Sequence, residues 1–129
     1  MLDGLNANDS TRALLLTEAL HDMKKILNVF DADEKTVLSY AGFGDLLLTC
    51  TSTKSRNFLF GKRIGEGISQ KEQEKYLKET TVEGYYTLDS IYQLLRKDQI
   101  NIPIINLIYK IIKENEKPES LLTFLIEKK

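Results

Sequence analysis

The residues best placed to do chemistry lie between Ala41 and Gly67, in the stretch AGFGDLLLTCTSTKSRNFLFGKRIGEG. Asp45 and Thr49 are four apart, so on one helix they share a face. Gly42 and Gly44 let backbone come close to whatever lies opposite that carboxylate. After a turn dense in hydroxyls, Ser55-Arg56-Asn57 falls where a new helix should start. A helix start presents free N–H groups and partial positive charge, which suits a phosphate. Arg56 adds a planar fork of donors for a phosphate or carboxylate, and Asn57 adds a donor and an acceptor for a hydroxyl. Together these describe a small site for a phosphorylated polyol with one carboxylate behind it. The alternative is capping: hydroxyl-rich loops before helices mostly serve the helix itself, and an arginine at a helix start mostly faces water. The residues alone leave both readings open.

Helices must position these groups. Thr11 to Asn28 spaces Leu14, Leu15, Leu16, Ala19, Leu20, Met23, Ile26 and Leu27 along one broad face, with Arg12, Glu18, Asp22 and Lys25 opposite. Ser10 or Asp9 is the expected N-cap. Asp33 opens a segment that breaks at Gly42-Phe43-Gly44 and continues through Leu46-Leu47-Leu48. The helix from Ser55 carries Phe58, Leu59, Phe60 and Ile64, and ends at Gly65-Glu66-Gly67 with a left-handed glycine. Ser69 caps a polar helix over Gln70 to Lys78, and a longer one runs from Thr81. Pro103 opens another helix to Lys113, and Pro118 begins the last, through Leu121, Leu122, Leu125 and Ile126. No sustained alternation argues for strands. The reading is all-α, a compact bundle of roughly six to eight helices.

Composition narrows the function. The 129 residues fit one domain, and Lys plus Arg (18) against Asp plus Glu (19) leaves a formal charge of −1. So even a balance argues against nucleic acid and anionic membrane as partners, and any anion must be held locally. No apolar run nears the roughly 20 residues of a membrane span. A single cysteine, Cys50, has no internal partner, which points to a reducing cytoplasm and, beside Thr49, to a small buried hydrophobe. His21 reads as a surface histidine with no nucleophile beside it, and no cluster of His, Cys and carboxylates suggests a metal. Tyr85, Tyr86 and Tyr92 read as core packing. The charges of Lys71 to Glu79 read as a solvated face.

The segment resembles the signature of the NAD-dependent glycerol-3-phosphate dehydrogenases, approximately G-x-G-D-L-x-x-T-C-x-x-x-x-S-R-N-x-x-x-G. Gly42, Gly44, Asp45, Leu46, Thr49, Cys50, Ser55, Arg56, Asn57 and Gly61 fall in register. Asp3-Gly4, Leu15-Leu16-Thr17, Val82-Glu83-Gly84 and Ile102-Pro103-Ile104 with Tyr109 extend the similarity over nearly the whole chain. The resemblance implies a helical domain of the 6-phosphogluconate dehydrogenase C-terminal-like type. Residues 1–129 would be the C-terminal substrate-binding domain, and an N-terminal Rossmann domain its partner. It implies interconversion of dihydroxyacetone phosphate and sn-glycerol 3-phosphate with NAD or NADP, in glycerophospholipid precursor synthesis.

By position, the resemblance puts Asp45 beside a catalytic lysine and Thr49 in the same pocket. Ser55, Arg56 and Asn57 would hold the glycerol phosphate, with Arg56 also close to the cofactor. Glu83 would lie near the nicotinamide nucleotide; equally, it reads as a first-turn carboxylate favoured by the helix dipole. The family's lysine falls ahead of Met1, and no G-x-G-x-x-G follows a strand, so the isolated chain is expected to be inactive. Ser10 stands where the family usually has asparagine. An unpaired domain of this kind is expected to expose an apolar patch near Asp45 and Arg56, which a homodimer could cover. The competing reading is a non-catalytic helical interaction module that retains the signature.

Overall fold

The computed structural model describes residues 1–29, 55–96 and 99–128. These form six helices: α1 (Asp9–Val29), α2 (Arg56–Gly65), α3 (Gln70–Glu79), α4 (Glu83–Arg96), α5 (Pro103–Lys113) and α6 (Glu119–Lys128). No strand occurs among the described residues, in agreement with the all-α reading. The expected helical pieces on either side of Gly42 and Gly44 lie outside the described residues.

Local rules account for most boundaries. Ser55 caps α2 by accepting the Phe58 N–H, and Ser69 caps α3 by accepting that of Glu72. Helix α2 stops because Gly67 turns left-handed at φ 86°, so Gly67 N–H reaches Ile64 O and Ile68 N–H reaches Arg63 O. Helix α5 starts at Pro103, whose missing N–H costs nothing in a first turn. Two starts differ from expectation. Asn8, rather than Asp9 or Ser10, accepts the Thr11 N–H at the head of α1. Helix α4 begins at Glu83, two residues later than Thr81, and Val82 just ahead of it is buried in the core.

The core gathers Leu2, Phe60, Ile64, Val82, Ile104, Ile111, Leu121 and Leu125. Helix α5 lies at its centre, packed against α1, α4 and α6, and α2 packs against α4. Each of these buried aliphatic side chains contributes about 1.5–3 kcal/mol relative to exposure. Rings complete the packing: Phe60 meets Tyr76 edge-on and stacks on Tyr85, and Tyr92 stacks on Tyr109 at 3.7 Å between centroids. Tyr86 departs from the expected core role, being 59% exposed. Helix α3 buries no residue fully, as its run of charges implied.

Asp22 is the clearest correction. It falls on the polar side of the α1 pattern, yet it is only 1% exposed. The cause sits on α5, whose N-cap residue, Ile102, has no side-chain oxygen to offer. The Asp22 carboxylate supplies it from α1, accepting the Ile105 N–H at 3.0 Å. Burial pushes the Asp22 carboxyl above its usual range, and the amides of Ile105 and Ile104 pull it partly back.

Candidate functional site

The start of α2 has the geometry that the Ser55-Arg56-Asn57 pattern predicts. Ser55 has extended backbone, and its Oγ accepts the Phe58 N–H at 3.3 Å, leaving its hydroxyl proton free to donate. The Arg56 and Asn57 N–H groups take no hydrogen-bond partner among the described residues. Both side chains are exposed, and Arg56 joins no ion pair there. The first turn of α2 carries no acidic residue, so its dipole and guanidinium act in the same direction.

Asn57 does more than line this end. Its Oδ1 accepts the Gly84 N–H at 3.0 Å, tying the head of α2 to the head of α4. Only the carbonyl oxygen of an amide can accept, so the contact fixes which end of Asn57 faces Gly84. The sequence predicts that Asn57 offers a ligand both an acceptor and a donor. In the fold its acceptor is engaged by backbone, and its NH2 donors take no partner among the described residues. With the Ser55 hydroxyl, the free amides and Arg56, the cluster consists of donors, which is the composition an anion requires.

Glu83 opens α4, adjoins Gly84, and is exposed in the first turn. Its dipole-favoured position and a place beside the donor cluster coexist, so the two readings of Glu83 do not exclude one another. Asp45 and Thr49, predicted to stand behind the phosphate, lie outside the described residues, as does Cys50. Leu59 on α2 and Tyr86 on α4 are the large apolar side chains these two helices expose.

The N-terminal segment holds α2 from the other side. Asp3 pairs with Arg12 at 2.7 Å and with Lys62 at 3.3 Å. The Lys62 and Arg12 contacts hold its carboxyl below the ordinary range despite partial burial. Gly4 and Gly65 make backbone-to-backbone contact here: a Cβ on Gly4 would fall on Lys62 O and come within 2.7 Å of Glu66 N, and one on Gly65 would fall on Met1 O. Asp3-Gly4 entered the sequence reading only through the resemblance, and spacing gave no sign that it braces α2. Gly84 likewise stands out in the sequence only as part of Val82-Glu83-Gly84. Its contact with Asn57 spans 27 positions and leaves no periodic trace.

A second, open cleft of about 210 Å³ is lined by Glu18, His21, Asp22, Lys25, Asn101 and Pro103. His21 is exposed, as expected, and Lys25 donates to Asn101 O at 2.7 Å. No group of three or more His, Cys, Asp or Glu suited to a metal occurs among the described residues.

Residues 1–123 match the family described as NAD-dependent glycerol-3-phosphate dehydrogenase C-terminus. The chain is 35% identical over 126 residues to a glycerol-3-phosphate dehydrogenase [NAD(P)+] of Coxiella burnetii, covering 98% of this chain and 38% of that protein. A protein of the same name from Staphylococcus aureus is 35% identical over 125 residues, covering 97% of this chain and 37% of its own length. The chain thus spans less than two fifths of the length of these curated relatives. No described helix is long and apolar enough to cross a membrane.

Proposed function

The chain belongs to the NAD-dependent glycerol-3-phosphate dehydrogenase C-terminal family, and we propose that it holds the three-carbon phosphate during interconversion of dihydroxyacetone phosphate and sn-glycerol 3-phosphate. The observation that supports this most is the all-donor head of α2. Ser55, Arg56 and Asn57 offer a hydroxyl, free amides, a guanidinium and an amide NH2 to one small anion. Binding energy from this remote phosphate orients the reacting carbon, which is where such energy serves catalysis.

The fit to a nicotinamide dinucleotide is partial. Exposed Arg56 and Glu83 offer a cation and an acceptor beside the phosphate end. The glycine-rich strand-to-helix turn that grips a pyrophosphate does not occur in this sequence. The dinucleotide is therefore proposed to be held mainly by a Rossmann domain, with Arg56 and Glu83 touching it from this side. Bound there, NADH or NADPH supplies the hydride exchanged with C2. Asp45 is proposed to orient a lysine of that other part, and Thr49 to line the same pocket. These 129 residues by themselves would bind substrate weakly and turn none over.

The test is an assay of the full-length protein beside the isolated chain, with dihydroxyacetone phosphate and NADH or NADPH. Oxidation of the dinucleotide by the full-length protein alone is expected. No oxidation by either would overturn the reading.

A further inference from the structure

We infer that Gly84 is a positioning residue, whose N–H and missing side chain together hold the Asn57 amide with its NH2 toward the anion. The inference rests on the proposed phosphate site and adds a residue that does not itself reach the ligand. Three observations carry it. The Gly84 N–H donates to Asn57 Oδ1 at 3.0 Å. A Cβ on Gly84 would meet Asn57 Oδ1 at 2.9 Å, Cγ at 3.1 Å and Nδ2 at 3.3 Å, so all three nearest atoms belong to that one side chain. Gly84 also has no left-handed backbone to explain it, since among the described residues Gly67 is the glycine with positive φ.

Within a helix, glycine is less favourable than alanine. A glycine at the second position of α4 therefore needs a local reason, and the approach of Asn57 supplies one. The consequence is chemical. An exposed asparagine can turn its amide over, presenting either oxygen or NH2. With the oxygen engaged by Gly84, the turned-over form loses a hydrogen bond and sets NH2 against N–H. Asn57 is thus committed to meeting an acceptor, such as a phosphate oxygen.

The test is a double-mutant cycle in the full-length protein, using Gly84→Ala, Asn57→Ala and the pair. Without ligand, Gly84→Ala is expected to be less favourable for the melting temperature when Asn57 is present, because Asn57 must turn aside and give up its hydrogen bond. In the Asn57→Ala background it is expected to raise the melting temperature, because the clash is gone and the helix propensity gain remains. With substrate, Gly84→Ala is expected to raise KM for dihydroxyacetone phosphate on the order of tenfold, with a smaller change in kcat. In the Asn57→Ala background it should leave KM unchanged. Asn57→Asp serves as the conservative variant. It retains the acceptor for Gly84 and so the melting sensitivity to Gly84→Ala, while losing the donors and the phosphate.

Equal melting shifts from Gly84→Ala in both backgrounds would overturn the positioning role. So would an equal rise in KM in both. If the unsubstituted protein neither turns over dihydroxyacetone phosphate nor is stabilised by sn-glycerol 3-phosphate, the functional reading fails, and the ligand-free melting cycle still decides whether Gly84 holds Asn57.

Discussion

Asp22 and Ile105 lie 83 positions apart, and the carboxylate of the first takes the amide proton of the second at 3.0 Å. A cap that most helices draw from their own preceding residue is here lent by a neighbouring helix. Asp22 thereby fixes where α5, the central helix, begins against α1. Its other oxygen, Oδ1, is buried without a partner among the described residues. The arrangement is stabilising through the amides it satisfies and costly through the charge it buries.

Asp22→Ala is expected to destabilise the protein by about 1–3 kcal/mol, since it strands the part-buried Ile105 amide at the head of α5. Chemical denaturation at neutral pH measures this, and a change indistinguishable from zero would contradict the capping role.

The pH dependence at Asp22 has a definite sign. Its folded carboxyl binds a proton more tightly than the unfolded one, whose ordinary value is 3.8. The cost of the buried charge is then fully present above the raised value and relieved as pH falls through it. The stability of the natural protein relative to Asp22→Asn should rise as pH is lowered from neutrality into that range. A gap that stays constant with pH would show that Asp22 does not titrate as its burial requires.

Asp3 has the opposite sign. The Lys62 and Arg12 contacts lower its folded value below 3.8, so its contribution is present above that value and lost as pH falls through the lowered one. Both cations are partly exposed, so Asp3→Asn is expected to cost no more than about 1 kcal/mol and less in high salt. Melting temperatures at low and high salt check both parts.

Much of this architecture is written in local signals. Ser55 and Ser69 announce their helices, Pro103 marks the head of α5, and Gly67 ends α2, because caps, prolines and left-handed glycines act within a few residues of themselves. Where the reading went astray, the deciding partner was distant. Asp22 sits on the polar side of a helical wheel, and no wheel shows that α5 needs its carboxylate. The head of α4 falls at Glu83, past Thr81, and no local pattern shows that Val82 between them is buried in the core. Asn57 was read as a free donor and acceptor, and only the packing of α2 on α4 shows its oxygen already engaged.

Glycine substitutions separate close packing from backbone conformation. Gly4→Ala and Gly65→Ala would drive a Cβ into backbone that cannot turn aside, and a loss of about 1–3 kcal/mol is expected for each. Gly67 faces open space but has φ 86°, so Gly67→Ala is expected to cost about 1 kcal/mol. Gly67→Asn should cost less, because asparagine tolerates that region. Equal losses for Gly67→Ala and Gly67→Asn would refute the conformational explanation.

The most direct measurement is the steady-state kinetics of Arg56→Ala in the full-length protein, with dihydroxyacetone phosphate and with dihydroxyacetone. Loss of a charge-assisted grip on the phosphate is expected to raise KM for the phosphorylated substrate by about ten- to a hundredfold. Any turnover of the unphosphorylated ketone should change far less, since it offers Arg56 no phosphate to hold. A KM for dihydroxyacetone phosphate that does not move would mean that the head of α2 does not hold the phosphate.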